Sequence, residues 1–102
     1  MPLTLYLLRH GQTPFSRDDL FCGSGLDPEL TADGVAMAEA FARSYARIGF
    51  QAIVTSPLVR TLATARPVST ACGLTVETRA GLREIAYGAW EGKTKTEVER
   101  TF

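Results

Sequence analysis

Three observations predict an α/β fold built on a mainly parallel sheet. Short apolar runs lie at residues 3–8, 52–55 and 74–78, segments of helical period lie between them, and capping residues or glycines mark the junctions. Strands that alternate with helices are expected to run parallel and to be joined by right-handed crossovers. The 102 residues hold one domain at most, and a chain of that size buries roughly 60–70% of the surface its unfolded form exposes.

The first run, Leu-Thr-Leu-Tyr-Leu-Leu at residues 3–8, is too short to span a membrane and bulky enough to fill a core, which predicts a buried strand. Arg9 and His10 stand at its end. In open parallel sheets ligands bind beyond the carboxyl ends of strands, so this cationic pair faces the usual site. From Gly11 to Leu30 the chain is polar and broken by Pro14, Gly23, Gly25 and Pro28, which predicts a long functional loop. Thr31 can cap a helix whose Val35, Ala38, Phe41, Ala42 and Tyr45 recur at helical spacing until Gly49 ends the run. After the second strand, Ser56-Pro57 predicts a helix that opens with a cap and a proline at its first position. That helix carries Leu58, Leu62, Ala63 and Ala65, should bend or break at Pro67, and ends at Gly73. The third strand follows at 74–78. Gly88 to Gly92 is a turn, and a Thr94-x-x-Glu97 capping signature opens a last helix in which the chain reaches Phe102.

Composition narrows the functional classes. With 45% hydrophobic and 22% charged residues the chain is neither disordered nor membrane-spanning in character. Eleven basic residues balance eleven acidic ones, so no nucleic-acid or membrane partner is expected, although a small local positive cluster remains open. The first strand begins directly after Met1-Pro2 with no apolar signal core ahead of it, and a cytoplasmic setting is expected. Cys22 and Cys72 form no Cys-x-x-Cys pair, so they are expected to be free thiols, with no metal and no cofactor.

Several phosphate chemistries can be tested by spacing. Gly23-Ser24-Gly25 opens like a dinucleotide fingerprint, but Pro28 replaces the third glycine and the stretch lies within a loop. Gly88-Ala89-Trp90-Glu91-Gly92-Lys93-Thr94 has three residues between its glycines where a P-loop has four, and it puts Glu91 where phosphate should lie. A cysteine phosphatase needs an arginine at a fixed distance after its nucleophile, and Pro28 and Thr78 stand in those places. What survives is His10, the only histidine of the chain, as the nucleophile. A neutral imidazole attacks phosphorus through one ring nitrogen when a hydrogen bond on the other fixes the tautomer. Guanidinium forks suit the charge spread over a transferring phosphoryl group. Arg9 supplies one, and Arg60, in the first turn of the helix after the second strand, supplies another at a helix start that itself favours an anion.

Four motifs then fall in register: Leu8-Arg9-His10-Gly11-Gln12-Thr13, Leu30-Thr31-x-x-Gly34, Ser56-Pro57-Leu58-x-Arg60-Thr61-x-x-Thr64-Ala65, and Leu82-x-Glu84-x-x-x-Gly88-x-Trp90-Glu91-Gly92. Together they resemble the histidine phosphatase superfamily, the phosphoglycerate-mutase-like proteins. The resemblance implies a three-layer α/β/α fold of which residues 1–102 form an incomplete, amino-terminal part. It implies that His10 is phosphorylated, that Arg9 and Arg60 bind the phosphoryl group, and that Glu84 gives a proton to the leaving oxygen. General-acid help of that kind is worth roughly 10²–10⁴ in rate. Where the family commonly has an asparagine as a further phosphate ligand, Ser16 offers one hydroxyl. Leu20 replaces a frequent basic residue, and the family's second active-site histidine has no counterpart.

The stretch Leu82-Arg83-Glu84-Ile85-Ala86-Tyr87-Gly88 looks more like the hydrolytic branch than the glycolytic mutases, whose equivalent has Asn-Glu-Arg before the tyrosine and glycine. The expected activity is hydrolysis of a small phosphorylated substrate by the intact protein. The alternatives are mutase-type phosphoryl transfer and a phosphate-binding remnant without turnover. In the resembled fold the strand bearing the second histidine lies between the first two strands. Residues 1–102 alone are therefore expected to be inactive, and to self-associate or pair with the missing half.

Overall fold

The computed structural model describes residues 3–101. Its elements are α1 (Pro14–Arg17), α2 (Ala32–Tyr45), β1 (Ile53–Thr55), α3 (Val59–Cys72), β2 (Val76–Thr78) and α4 (Lys95–Thr101), with single 3-10 turns at Ala46–Ile48, Ala80–Leu82 and Gly88–Trp90. β1 and β2 pair in parallel, with Ile53 opposite Val76 and Thr55 opposite Thr78. The connection between them is α3, which packs on both strands, and α2 packs on α3. This is the expected α/β arrangement, present in part: a two-stranded parallel sheet with α3 packed on it and α2 packed on α3.

Small side chains let the helices approach. Ala38 and Ala42 of α2 are buried, as are Ala65 and Val68 of α3. The Thr31 side chain caps α2 by accepting from the Gly34 amide, and the helix passes through its 3-10 turn to Gly49, whose φ of 77° places it in the left-handed region that glycine tolerates. Val35 and Tyr45 do not join the buried face as the spacing implied, since both are exposed. Phe41 lies between Tyr45 and Phe50, with ring centroids at 4.9 and 6.5 Å.

Four sequence expectations are corrected. Residues 3–8 form no strand: Leu3, Leu5 and Leu7 are 82%, 72% and 94% exposed. A strand exists only through a partner for its backbone groups, and a cleft of 1070 Å³ separates residues 3–10 from β1. The helix after β1 opens at Val59, two residues beyond Pro57, with Leu58 at the N-cap position. Pro67 neither breaks nor ends α3, which continues to Cys72. Packing of Thr64, Ala65 and Val68 on both sides of Pro67 holds the helix through the one hydrogen bond that proline cannot donate. The third strand is shorter than residues 74–78, because only Val76–Thr78 pair with β1.

Two expectations hold in detail. Gly73 ends α3 in the left-handed conformation, with its amide donating to the Ser69 and Thr70 carbonyls. Thr94 and Glu97 form the reciprocal cap of α4: the Glu97 amide donates to Thr94 Oγ1 at 3.1 Å, and the Thr94 amide donates to Glu97 Oε1 at 3.5 Å. Phe102 lies outside the described residues.

Candidate active site

The turn at His10 is held by backbone contact. A Cβ on Gly11 would stand 2.6 Å from the Gly34 carbonyl oxygen, and one on Gly34 would stand 2.9 Å from the Gln12 amide nitrogen. Only glycines permit that approach. Thr31 fastens the same crossing, donating from its amide to the Gln12 carbonyl at 2.9 Å. Its hydroxyl lies 2.8 Å from Gln12 Oε1. From below, Thr64 Oγ1 accepts from the Gly11 amide at 2.9 Å and donates to the Arg60 carbonyl at 2.7 Å. The first three motifs are thus one contact set, which is why they occur together.

His10 is oriented by its own neighbour. Nδ1 lies 2.7 Å from the Gly11 carbonyl oxygen, and a carbonyl can only accept, so in the neutral ring Nδ1 carries the hydrogen and Nε2 keeps its lone pair. The ring is half-buried and opens on a cleft of 190 Å³ lined by Arg9, His10, Thr13, Ser16, Leu20, Phe21, Cys22, Glu84 and Tyr87. Four of the five residues singled out in the sequence therefore meet here. Arg9 and Glu84 are exposed, and Glu84 accepts from the Ile85 amide at 3.2 Å.

Ser16 faces the cleft with its hydroxyl engaged. It accepts from the Thr13 amide at 2.9 Å and donates to the Thr13 carbonyl at 3.1 Å, while Thr13 Oγ1 accepts from the Ser16 amide at 3.2 Å. This capping box starts α1, a helical turn inside the stretch expected to be irregular. To serve a phosphate, Ser16 must turn its one hydrogen away from Thr13.

Arg60 does not line this cleft. It is 1% exposed, and it donates from Nη1 to the Leu26 carbonyl at 3.1 Å and from Nη2 to the Gly23 carbonyl at 3.5 Å. Among the described residues two of its five guanidinium hydrogens are so used, and three remain. The start of α3 is also occupied from within, since Asp27 accepts from the Val59 amide at 2.7 Å. The anion at that helix start is the protein's own carboxylate, a cap supplied from a distant loop because Leu58 has none to offer. The Arg60 charge is felt at Cys22: burial pushes the Cys22 thiol up, Arg60 draws it down, and the carboxylates of Glu91, Glu84 and Asp27 raise it.

The loop expected to be functional supplies Leu20, Phe21 and Cys22 to the cleft, although sequence reasoning did not single out Phe21 or Cys22 within it, and it missed Tyr87. Phe21 packs against Tyr87 and Trp90 with ring centroids at 5.2 and 5.3 Å. An aromatic in a polar loop is the one signal that pointed there.

Fold and site define an α/β protein whose cleft gathers an oriented histidine, an arginine and a carboxylate. Residues 5–102 match the histidine phosphatase superfamily (branch 1), and the chain belongs to that family. A Mycobacterium tuberculosis protein named as bifunctional is 41% identical over 98 residues, which are 95% of this chain and 27% of the relative. A "Probable phosphoglycerate mutase GpmB" of Yersinia pestis is 36% identical over 91 residues, 89% of this chain and 42% of the relative. Among solved structures, a mycobacterial glucosyl-3-phosphoglycerate phosphatase superposes with a TM-score of 0.84 at 33% identity, over 89% of this chain and 43% of that one. YhfR of Bacillus stearothermophilus does so with a TM-score of 0.83 at 32% identity, over 91% of this chain and 46% of that one. The chain spans less than half the length of each of these relatives.

Proposed function

We propose that the intact protein hydrolyses small phosphomonoesters through a phosphohistidine at His10. The observation that carries this is the 2.7 Å contact of His10 Nδ1 with the Gly11 carbonyl, which directs the lone pair of Nε2 to phosphorus. In the first step the Nε2–P bond forms and the bond from phosphorus to the ester oxygen breaks, with Glu84 giving its proton to that oxygen. In the second step the Glu84 carboxylate takes a proton from water, the water oxygen bonds to phosphorus, and the P–Nε2 bond breaks to release inorganic phosphate. Arg9 counters the charge on the phosphoryl oxygens in the cleft, buried Arg60 adds its positive charge from outside the cleft lining, and Ser16 adds a hydroxyl. No metal or cofactor has a part in these steps.

The even charge balance favours a small phosphorylated substrate over nucleic acid or a membrane surface. A cytoplasmic setting belongs to the same proposal; among the described residues no helix is long and apolar enough to cross a membrane. The solved relative named as a phosphatase favours hydrolysis, and the relative named for mutase activity favours transfer to a second acceptor. Incubating the full-length protein with a phosphomonoester and mapping acid-labile phosphate by mass spectrometry separates these. The expected result is an adduct on His10 and release of inorganic phosphate. An adduct elsewhere, or turnover that survives His10→Ala, overturns the mechanism. Transfer to an added acceptor identifies the mutase, and binding without an adduct identifies an inert remnant.

A further inference from the structure

The two glycine segments that fail as phosphate motifs bind each other. Glu91, which stands where a P-loop would hold phosphate, places its carboxylate in the Gly23-Ser24-Gly25 turn. Oε1 accepts from the Gly25 amide at 3.1 Å and from the Tyr87 amide at 3.3 Å. A Cβ on Gly25 would collide with the Glu91 carboxylate and could be accommodated only by displacing it, while a Cβ on Gly23 would meet the Ile85 backbone carbonyl as well as Glu91 Oε1; the turn thus lets an anion lie against its backbone.

Backbone pairing completes the junction. Phe21 donates to the Lys93 carbonyl at 2.8 Å, Gly92 donates to the Phe21 carbonyl at 2.8 Å, and Ser24 donates to the Ile85 carbonyl at 3.0 Å. Leu20 and Thr94 form an antiparallel bridge. On the opposite side Arg60 takes the Gly23 and Leu26 carbonyls. The turn is gripped by a carboxylate on an N–H and by a guanidinium on its carbonyls.

We propose that Glu91 is a positioning residue that holds two walls of the His10 cleft in register. One is the loop bearing Phe21 and Cys22, and the other is the segment bearing Glu84 and Tyr87. Glu91 does not line the cleft and acts through the backbone of residues that do. This rests on the phosphatase proposal where it concerns Glu84: misplacing a proton donor slows departure of a poor leaving group and spares a good one.

The test uses the full-length protein with p-nitrophenyl phosphate, whose leaving group departs without a proton, and glycerol 2-phosphate, whose leaving group needs one. Glu91→Ala is expected to lower kcat on glycerol 2-phosphate about tenfold while changing kcat on p-nitrophenyl phosphate about twofold or less. Hydrogen exchange at the Gly25 and Tyr87 amides should accelerate about fivefold. Glu91→Gln keeps an accepting oxygen and should restore both readouts. Gly25→Ala should reproduce Glu91→Ala, and the double variant should be no worse than either single one. Unchanged exchange at both amides, or equal losses on the two esters, overturns the proposal. Exchange reports the clamp without turnover, so accelerated exchange in Glu91→Ala combined with turnover in His10→Ala sinks the phosphohistidine mechanism and leaves the clamp standing.

Discussion

Gly11 and Gly34 meet backbone to backbone, close enough that a Cβ on Gly11 would lie 2.6 Å from the Gly34 carbonyl oxygen. The residue after His10 thus rests on the first turn of α2. Because the opposing atoms are backbone, neither side can yield by rotating a side chain.

Gly34→Ala tests that crossing. Alanine gains about 1 kcal/mol of helix propensity over glycine, while overpacking costs about 1–3 kcal/mol, and the rigid neighbours make the second effect win. Urea unfolding of the full-length protein should show a lower midpoint, and kcat should fall as the His10 turn is displaced. A midpoint above wild type would show that the crossing relaxes.

Thr64→Val removes the acceptor for the Gly11 amide, a buried bond of 2.9 Å. Leaving that N–H unpaired costs about 1–3 kcal/mol, read as a shift in the unfolding midpoint, together with slower phosphohistidine formation. Thr64→Ser keeps the oxygen and should recover most of both.

Arg60→Ala should raise the barrier to phosphoryl transfer by about 2.7–4 kcal/mol, as loss of an oxyanion donor does. Its loss also frees the Gly23 and Leu26 carbonyls. Arg60→Lys keeps the charge but has no planar fork to hold the two carbonyls together, so kcat/KM should recover only in part. A wild-type kcat/KM in the alanine variant would confine Arg60 to holding the loop.

The cleft between residues 3–10 and β1 should receive a β-strand. Its walls include the exposed Leu5, Leu7 and Val54. Among the described residues Thr55 Oγ1, at the end of β1, is buried there without a hydrogen-bond partner. Light scattering after size exclusion should find residues 1–102, expressed alone, self-associated and without phosphatase turnover. A stable monomer that hydrolyses phosphomonoesters would show that the cleft needs no strand.

Much of this protein is local in origin and therefore legible along the chain. Thr31 before a helical-period run, Gly49 and Gly73 after the helices, and Thr94 three residues before Glu97 are contacts within one turn of backbone, decided by neighbours a few positions away. Arg9 and His10 were legible as a pair at the end of an apolar run, and their meeting with Glu84 only through the family resemblance that the four motifs carry. Long-range pairing was not. Whether residues 3–8 become a strand depends on a partner across a cleft, not on their own apolar pattern. The buried guanidinium of Arg60 and the cap that Asp27 gives to α3 join residues that sequence separates by a helix and a strand. The tertiary structure also gave Glu91 and the glycines at 23 and 25 their meaning: a glycine turn advertises room for an anion, and only the fold decides that the anion is a carboxylate of the same chain.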